Sequence, residues 1–386
     1  MCATRTLTAL LLFLAFLAPA CQAQQLGKNV IIEAGSDADH QLTAINAADP
    51  SKKLELIDQF AKTYPEGDMQ IVVDEQYVNY YVNNKQYNKA FEYGEKLFAL
   101  DPNNYVNAVN MVRAAAEKGD LDKLYAYGEK ANSIVEKFKA APPPEGITAD
   151  DWAHTKADKL ASIKDDQDYV REALLNGAYN AKQATKQADY FVRFARMYPG
   201  TSQGQQALML AASDYEKAGD REKMQEMANR ALAKDPNNID MMLLLADDYG
   251  EKGDQLDKAE GYAKKAITVV DAAKKPDNLT DEQWQEQTSV QKGWALSTLG
   301  QIELQKKQNA PAVENLVKAA PLLKTNAVMY ARNQYRLGFA YLNLKKTADA
   351  TKAFTEAASV DSPYKGPAQQ KLTELGGART AHKKAS

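Results

Sequence analysis

The 386-residue chain has only two cysteines, Cys2 and Cys21, both near its start. Removal of the chain as far as Ala23 would leave no thiol. Disulfides, thiolate nucleophiles and cysteine metal sites are then excluded from the mature chain. Histidine is also scarce: His40, His154 and His382 stand far apart. His40 and His382 fall in expected tails, and His154 reads as a surface residue in a helix start. No HExxH pair occurs, which excludes a zincin-type centre. There is no glycine-rich phosphate loop and no twelve-residue acidic loop with a closing Glu, so nothing supports nucleotide or calcium binding. The formal net charge is -3, with no basic excess to recommend nucleic acid as a partner. After Leu17 no apolar run is long enough to span a bilayer.

The first residues are apolar in a particular order. Arg5 precedes the run Leu7 to Leu17, and Ala18-Pro19-Ala20-Cys21-Gln22-Ala23 follows. A charged start, an apolar stretch and small residues describe a secretory signal, here residues 1–23. Cleavage after Ala23 would release a periplasmic or secreted protein beginning at Gln24. Cleavage before Cys21 would leave a cysteine able to carry lipid, as in an outer-membrane lipoprotein. Pro19 and the lack of Leu three residues before Cys21 fit the lipoprotein pattern poorly, so the soluble product is expected.

The rest of the chain repeats itself. Asp101-Pro102-Asn103-Asn104 recurs as Asp235-Pro236-Asn237-Asn238, an offset of 134. Phe60-Ala61 and Phe194-Ala195, Tyr64-Pro65 and Tyr198-Pro199, Tyr81 and Tyr215, and Gly119-Asp120 and Gly253-Asp254 keep the same offset. Pro144 to Trp152 and Pro276 to Trp284 correspond at an offset of 132. So many matches at nearly one spacing indicate a tandem duplication. Inside it lies a shorter period, since Gly219-Asp220 and Gly253-Asp254 are 34 apart. Leu208, Ala211, Ala212 and Tyr215 share one helical face, as do Met224, Met227, Ala228, Ala231 and Leu232. Gly219-Asp220 supplies the turn between the two helices. Asp235-Pro236 closes the second, because Pro cannot continue a helix.

A 34-residue helix pair with Tyr215, Gly219-Asp220, Ala231 and a closing DPNN resembles the tetratricopeptide repeat. Further copies run over 71–104, with Tyr81, Ala90 and Lys85 in place of the turn Gly; over 239–270, with Tyr249, Gly253 and Ala266; and over 331–363, with Leu337-Gly338, Tyr341 and Ala350. Weaker copies cover 105–138, 168–198 and 293–320. A helix at 52–64 reads as the second half of a degenerate first copy. Lys258 or Ala259 reads as a one-residue insertion. The resemblance covers most of residues 50–365 and implies an all-α fold, an α-solenoid of antiparallel helix pairs wound as a right-handed superhelix.

The expected organisation is a signal peptide at 1–23 and a flexible segment at 24–40. Repeats occupy 41–139, a Pro-rich spacer 140–150, duplicated repeats 151–272 and a second spacer 273–282. C-terminal repeats follow at 283–375, with a flexible tail at 376–386. Thr148 and Thr280 read as N-caps, Gln283 completes a capping box, and Ile147 can staple Trp152. Both Trp152 and Trp284 read as structural anchors. Gly376-Gly377 reads as a helix terminator.

No catalytic, cofactor-binding or metal-binding residue is expected. Acid pairs such as Asp165-Asp166 and Asp247-Asp248 read as solvated helix faces. The repeat-position tyrosines Tyr81, Tyr215, Tyr249 and Tyr341 read as core. What remains is a surface. The groove pattern of the tetratricopeptide family points to Asn79, Asn83, Arg113, Ser213, Lys217, Tyr335, Phe339 and Asn343. Amide side chains donate and accept together, which suits main-chain recognition of an extended peptide. Too few Lys and Arg face the groove for a peptide-carboxylate clamp. Tyr335 and Phe339 form either a hydrophobic patch or a seat for a closing helix at 367–375.

The leading expectation is a non-enzymatic, exported scaffold that binds another protein or extended peptide of the cell envelope. No nucleic acid is expected as a partner, and no membrane span after signal removal, with a lipid anchor at Cys21 as the alternative. A glycan- or small-molecule-binding protein using Trp294 and Tyr335 is the second reading. A hydrolase with carboxylates gathered in a cleft is the third.

Overall fold

The computed structural model describes residues 26–384, with side chains as far as Gly376. The expected leader, Cys2 and Cys21 lie outside the described residues. Eighteen helices, and no strand, are present among the described residues. The chain divides into two compact units between Met197 and Tyr198. The division falls at Tyr198-Pro199, the counterpart of Tyr64-Pro65 in the duplication.

Unit 1 holds α1 (Asp37–Ala47), α2 (Pro50–Thr63), α3 (Met69–Asn83), α4 (Tyr87–Leu100), α5 (Tyr105–Lys118), α6 (Leu121–Ala140), α7 (Ala149–Ser162), α8 (Lys164–Tyr179) and α9 (Ala184–Met197). Unit 2 holds α10 (Ser202–Ala218), α11 (Arg221–Lys234), α12 (Ile239–Lys252), α13 (Leu256–Ala272), α14 (Asp281–Gln305), α15 (Asn309–Leu322), α16 (Ala327–Asn343), α17 (Thr347–Ser359) and α18 (Lys365–Lys384). Most helices pack against their chain neighbours, as α3 on α4 and α4 on α5, or α14 on α15 and α15 on α16. First helices of successive pairs also meet: α3 on α5, α5 on α8, α12 on α14 and α14 on α16. Each unit is therefore an array of tetratricopeptide-like antiparallel helix pairs.

The turns explain why the pairs recur. Six of them carry a residue with positive φ four positions after a first-helix residue whose carbonyl closes the turn. Gly119, Gly219 and Gly253 fill that place in three turns, and Lys85, Lys307 and Lys345 in the others. The N–H of the next residue bonds to that carbonyl in each case, as from Asp220 to Tyr215 at 2.9 Å and from Lys346 to Tyr341 at 2.9 Å. This closure satisfies carbonyls that the helix end would otherwise orphan. In the α12–α13 turn the extra residue is Gln255, itself at φ 43°. The insertion expected at Lys258 or Ala259 thus lies in the turn, and Ala259 is buried core.

The core follows the repeat. The fourth residue of each of these second helices is buried: Ala90, Leu124, Met224, Ala259, Ala312 and Ala350. Tyr81, Tyr215 and Tyr249 are buried as expected, and Tyr341 is half-buried. Small residues let large ones in. A Cβ on Gly338 would stand 2.6 Å from the Phe354 ring, and one on Gly300 2.5 Å from Leu316.

Further expectations are corrected at the two ends. The first copy is complete, with α1 as its first helix, so the segment expected to be flexible to residue 40 is helical from Asp37. Its earlier part is also tied down: the Lys28 N–H donates to Asp101 and the Leu26 carbonyl accepts from the Tyr105 N–H. The final helix does not stop at Gly376-Gly377 but continues to Lys384. Glycine permits a helix end without enforcing one. The capping box at Thr280 and Gln283 forms, and Thr148 caps α7 through the Asp151 N–H. Trp152 is buried and donates to the Ala141 carbonyl at 2.9 Å, whereas Trp284 is only half-buried.

Candidate peptide-binding cleft

The eight groove residues separate between the units. In unit 1, Asn79 and Asn83 are exposed on α3, one helical turn apart. The Asn110 amide on α5 donates to Asn79 Oδ1 at 2.9 Å, and Arg113 donates to Asn110 Oδ1 at 3.4 Å. Arg113 also lies over the Tyr169 ring of α8, 5.4 Å from its centroid. Three first helices thus present one connected polar row, Asn79–Asn110–Arg113–Tyr169. Asn110 and Tyr169 were missed because their partners sit on other helix pairs, well outside any local pattern.

In unit 2, Ser213 is half-buried on α10, and exposed Lys217 pairs with Asp214 at 2.9 Å. Tyr335, Phe339 and Asn343 lie one turn apart on α16 and share a cleft of about 300 Å³. Glu251, Gln301, Gln305, Arg332, Arg336 and Tyr364 complete most of its wall. Tyr335 also meets Phe354 and Tyr364, each at 5.7 Å between centroids, and Phe339 meets Phe354 at 5.4 Å. Lys371 of α18 lies over the Phe339 ring. The two aromatics pack beneath α17 and α18 with one side and line the cleft with the other.

The cleft wall rests on a buried ionic cluster. Asp247 accepts from Arg332 at 2.5 Å, from Arg336 at 2.9 Å and from the Thr298 hydroxyl at 3.0 Å. Arg336 is 3% exposed and also donates to Ser297 and to Glu251. Its Nε makes no hydrogen bond to a described residue. Burial penalises the Asp247 charge, but Arg332 and Arg336 outweigh that and hold its carboxyl far below the usual range. Glu216 is pushed up instead, by burial and then by the Asp247 charge. The expectation that Asp247-Asp248 is a solvated face is corrected: Asp247 is buried, and Asp248 accepts from Arg221 and Gln225. No local pattern showed this, because Arg332 and Arg336 follow Asp247 by 85 and 89 residues.

Amides from Gln301, Gln305 and Asn343 can donate and accept, while aromatic faces flank two guanidinium groups. The Asp247 carboxylate is consumed by three hydrogen bonds. Among the described residues, no group of three or more His, Cys, Asp or Glu is placed to hold a metal ion. No helix among them is long and apolar enough to cross a membrane.

Fold and cleft together define a tetratricopeptide-like helical-repeat protein. No protein-family model and no curated protein matches the chain. Solved structures similar to it are helical arrays. The structure of NprR with its cognate peptide NprX is 16% identical, with 93% of this chain and 87% of that chain covered and a TM-score of 0.37. RapI in its apo form is 13% identical, with 73% of each chain covered and a TM-score of 0.33. The TPR domain of P58(IPK) is 11% identical, with 89% of this chain and 99% of that chain covered and a TM-score of 0.29. At such low identity and superposition, the fold rests on the helix pairs themselves.

Proposed function

We propose that this chain is a non-enzymatic, exported scaffold that holds another protein of the cell envelope by an extended peptide segment. The carrying observation is the unit 2 cleft, where Tyr335, Phe339 and Asn343 stand beside Arg332 and Arg336. Such a wall suits a peptide main chain: amides pair with peptide N–H and C=O groups, and aromatic faces pack on apolar side chains. Pre-organisation by Asp247 lowers the ordering cost that binding must overcome. NprR is bound to a peptide in its structure, and the same mode is proposed for this chain on its own geometry. The leader pattern at 1–23 supports export. The glycan-binding alternative rests on Trp294 and Tyr335: Tyr335 lines the cleft, whereas half-buried Trp294 is not among its wall residues.

The test is affinity capture from envelope extract with the wild-type mature chain and with a Tyr335→Ala, Asn343→Ala double variant. A partner retained by the first and lost by the second is expected. Equal recovery by both baits sinks the assignment to this cleft. Mass analysis of the mature N-terminus decides between Gln24 and a lipid-bearing Cys21.

A further inference from the structure

The two copies of the Asp-Pro-Asn-Asn turn have different surroundings. In unit 1 the turn is covered. The Lys28 N–H donates to Asp101 Oδ2 at 2.7 Å, and the Tyr105 N–H, first in α5, donates to the Leu26 carbonyl at 2.9 Å. Between these bonds Gly27 presses onto the turn at φ +136°. A Cβ there would stand 3.0 Å from Asp101 Oδ2 and 3.3 Å from Asn104 Cα. Leu26 packs against Phe138, Ala141 and Trp152. The turn thus recognises an apolar residue, a glycine and a following main-chain N–H.

Unit 2 repeats the turn and its cap. Asn237 donates its N–H to Asp235 Oδ1 at 3.0 Å, as Asn103 does to Asp101 Oδ1 at 3.2 Å. Asn238 caps α12 as Asn104 caps α5. Yet Asp235 is exposed where Asp101 is buried. No described residue accepts from the Ile239 N–H, the counterpart of that of Tyr105. Trp284, the counterpart of Trp152, is half-buried. Gln291, two turns after Trp284 on the same face of α14, donates to Asp240 at 3.0 Å and brings that face to the start of α12. A turn and a helix start do not define a ligand by themselves; the segment held by the same residues in unit 1 does.

We propose that the Asp235–Asn238 turn, with the Ile239 N–H and Trp284, is a second peptide site that takes an extended segment with an apolar residue followed by glycine. The Ile239 N–H donates to the carbonyl of the apolar residue. The Asp235 carboxylate accepts from the N–H after the glycine. Trp284 receives the apolar side chain. The glycine is required because its counterpart Gly27 stands at φ +136°, where a side chain is strained, and a Cβ there would crowd the Asp carboxylate and the turn. The site is separate from the arginine-lined cleft and does not depend on it.

The probe is a fluorescent peptide with this chain's own residues 24–33, titrated into the full chain and followed by anisotropy. Saturable binding is expected. Asp235→Ala should weaken it about tenfold or more, the effect of losing a hydrogen bond to a charged acceptor. Gly27→Val in the peptide should weaken it at least as much. Hydrogen exchange on the unmodified protein should show the Ile239 amide slowed by the peptide, a reading that needs no variant to fold. Gly261→Ala, where a Cβ meets nothing within 4 Å, should leave binding unchanged. Absence of saturable binding, or binding that Asp235→Ala leaves intact, overturns the proposal. Indifference to Gly27→Val overturns the glycine slot.

Discussion

Arg113 of unit 1 and Asp247 of unit 2 occupy the same place in the duplication, at the offset of 134. They carry opposite charge. Arg113 is half-buried, held by Asn110 and the Tyr169 ring. Asp247 is buried and held by Arg332, Arg336 and Thr298. The backbone position is shared, but the next first helix differs: α8 brings an aromatic ring, while α14 brings a hydroxyl and α16 two guanidiniums. A second contrast runs alongside. The fourteen and sixteen residues of α7 and α8 break at Ile163, whereas α14 continues unbroken for 25 residues. A duplicated scaffold thus keeps its turns and core while the surfaces at equivalent positions acquire unlike chemistry.

The largest test of this contrast is removal of charge partners. Arg336→Ala leaves Asp247 and Glu251 short of a partner and should cost about 3–5 kcal/mol of unit 2 stability. Arg113→Ala removes an exposed-side cation–π contact and should cost only about 0.5–1 kcal/mol. Urea midpoints of the two variants check the difference, and equal losses would remove the distinction between the sites. Close packing comes next. Gly300→Ala and Gly338→Ala each force a Cβ into a neighbouring side chain and should cost about 1–3 kcal/mol. Gly261→Ala, where a Cβ meets nothing within 4 Å, serves as the control and should not destabilise.

Smaller effects come from the turns. Lys85, Lys307 and Lys345 hold the left-handed conformation that Gly119, Gly219 and Gly253 hold without a Cβ. Lys85→Gly and Lys345→Gly should each stabilise by up to about 1 kcal/mol, measured by thermal melting. A loss on substitution would show that the lysine side chains matter more than the backbone. The smallest expected effect is with pH. Burial raises Glu75 in unit 1 and Glu216 in unit 2 above the ordinary 4.5. The folded chain then binds these protons more tightly than the unfolded one, so these two groups add stability as pH falls towards their folded values. Asp247 has the opposite sign: its contribution is complete well above 3.8 and is lost progressively as pH falls below that value. A Glu75→Gln variant whose urea midpoint changes with pH just as the parent's does would contradict the assignment. Glu75→Gln should remove its share of the slope.

Much of the architecture was legible because it is local. The positive-φ turn, the buried residue four places into the second helix, and the Thr280–Gln283 box each need only a few adjacent residues. Tyr81, Tyr215 and Tyr249 were readable as core for the same reason, as part of a helical period. The cleft was half legible: Tyr335, Phe339 and Asn343 share a face at one-turn spacing. Arg332 and Arg336 share that spacing too, but their meaning depends on Asp247, two helix pairs earlier. The strap at Leu26 was illegible, since its partner Asp101 is 73 residues away from Lys28.

By itself the sequence determined the helices, their pairing, the turn geometry and the duplication, because these follow from periods and caps that are short along the chain. Only the tertiary structure decided that Asp247 is a buried anchor, that Trp152 is covered while Trp284 is half open, and that one DPNN turn is occupied while its copy is exposed. Burial and charge pairing are sums over neighbours from distant helices, and no local pattern contains them.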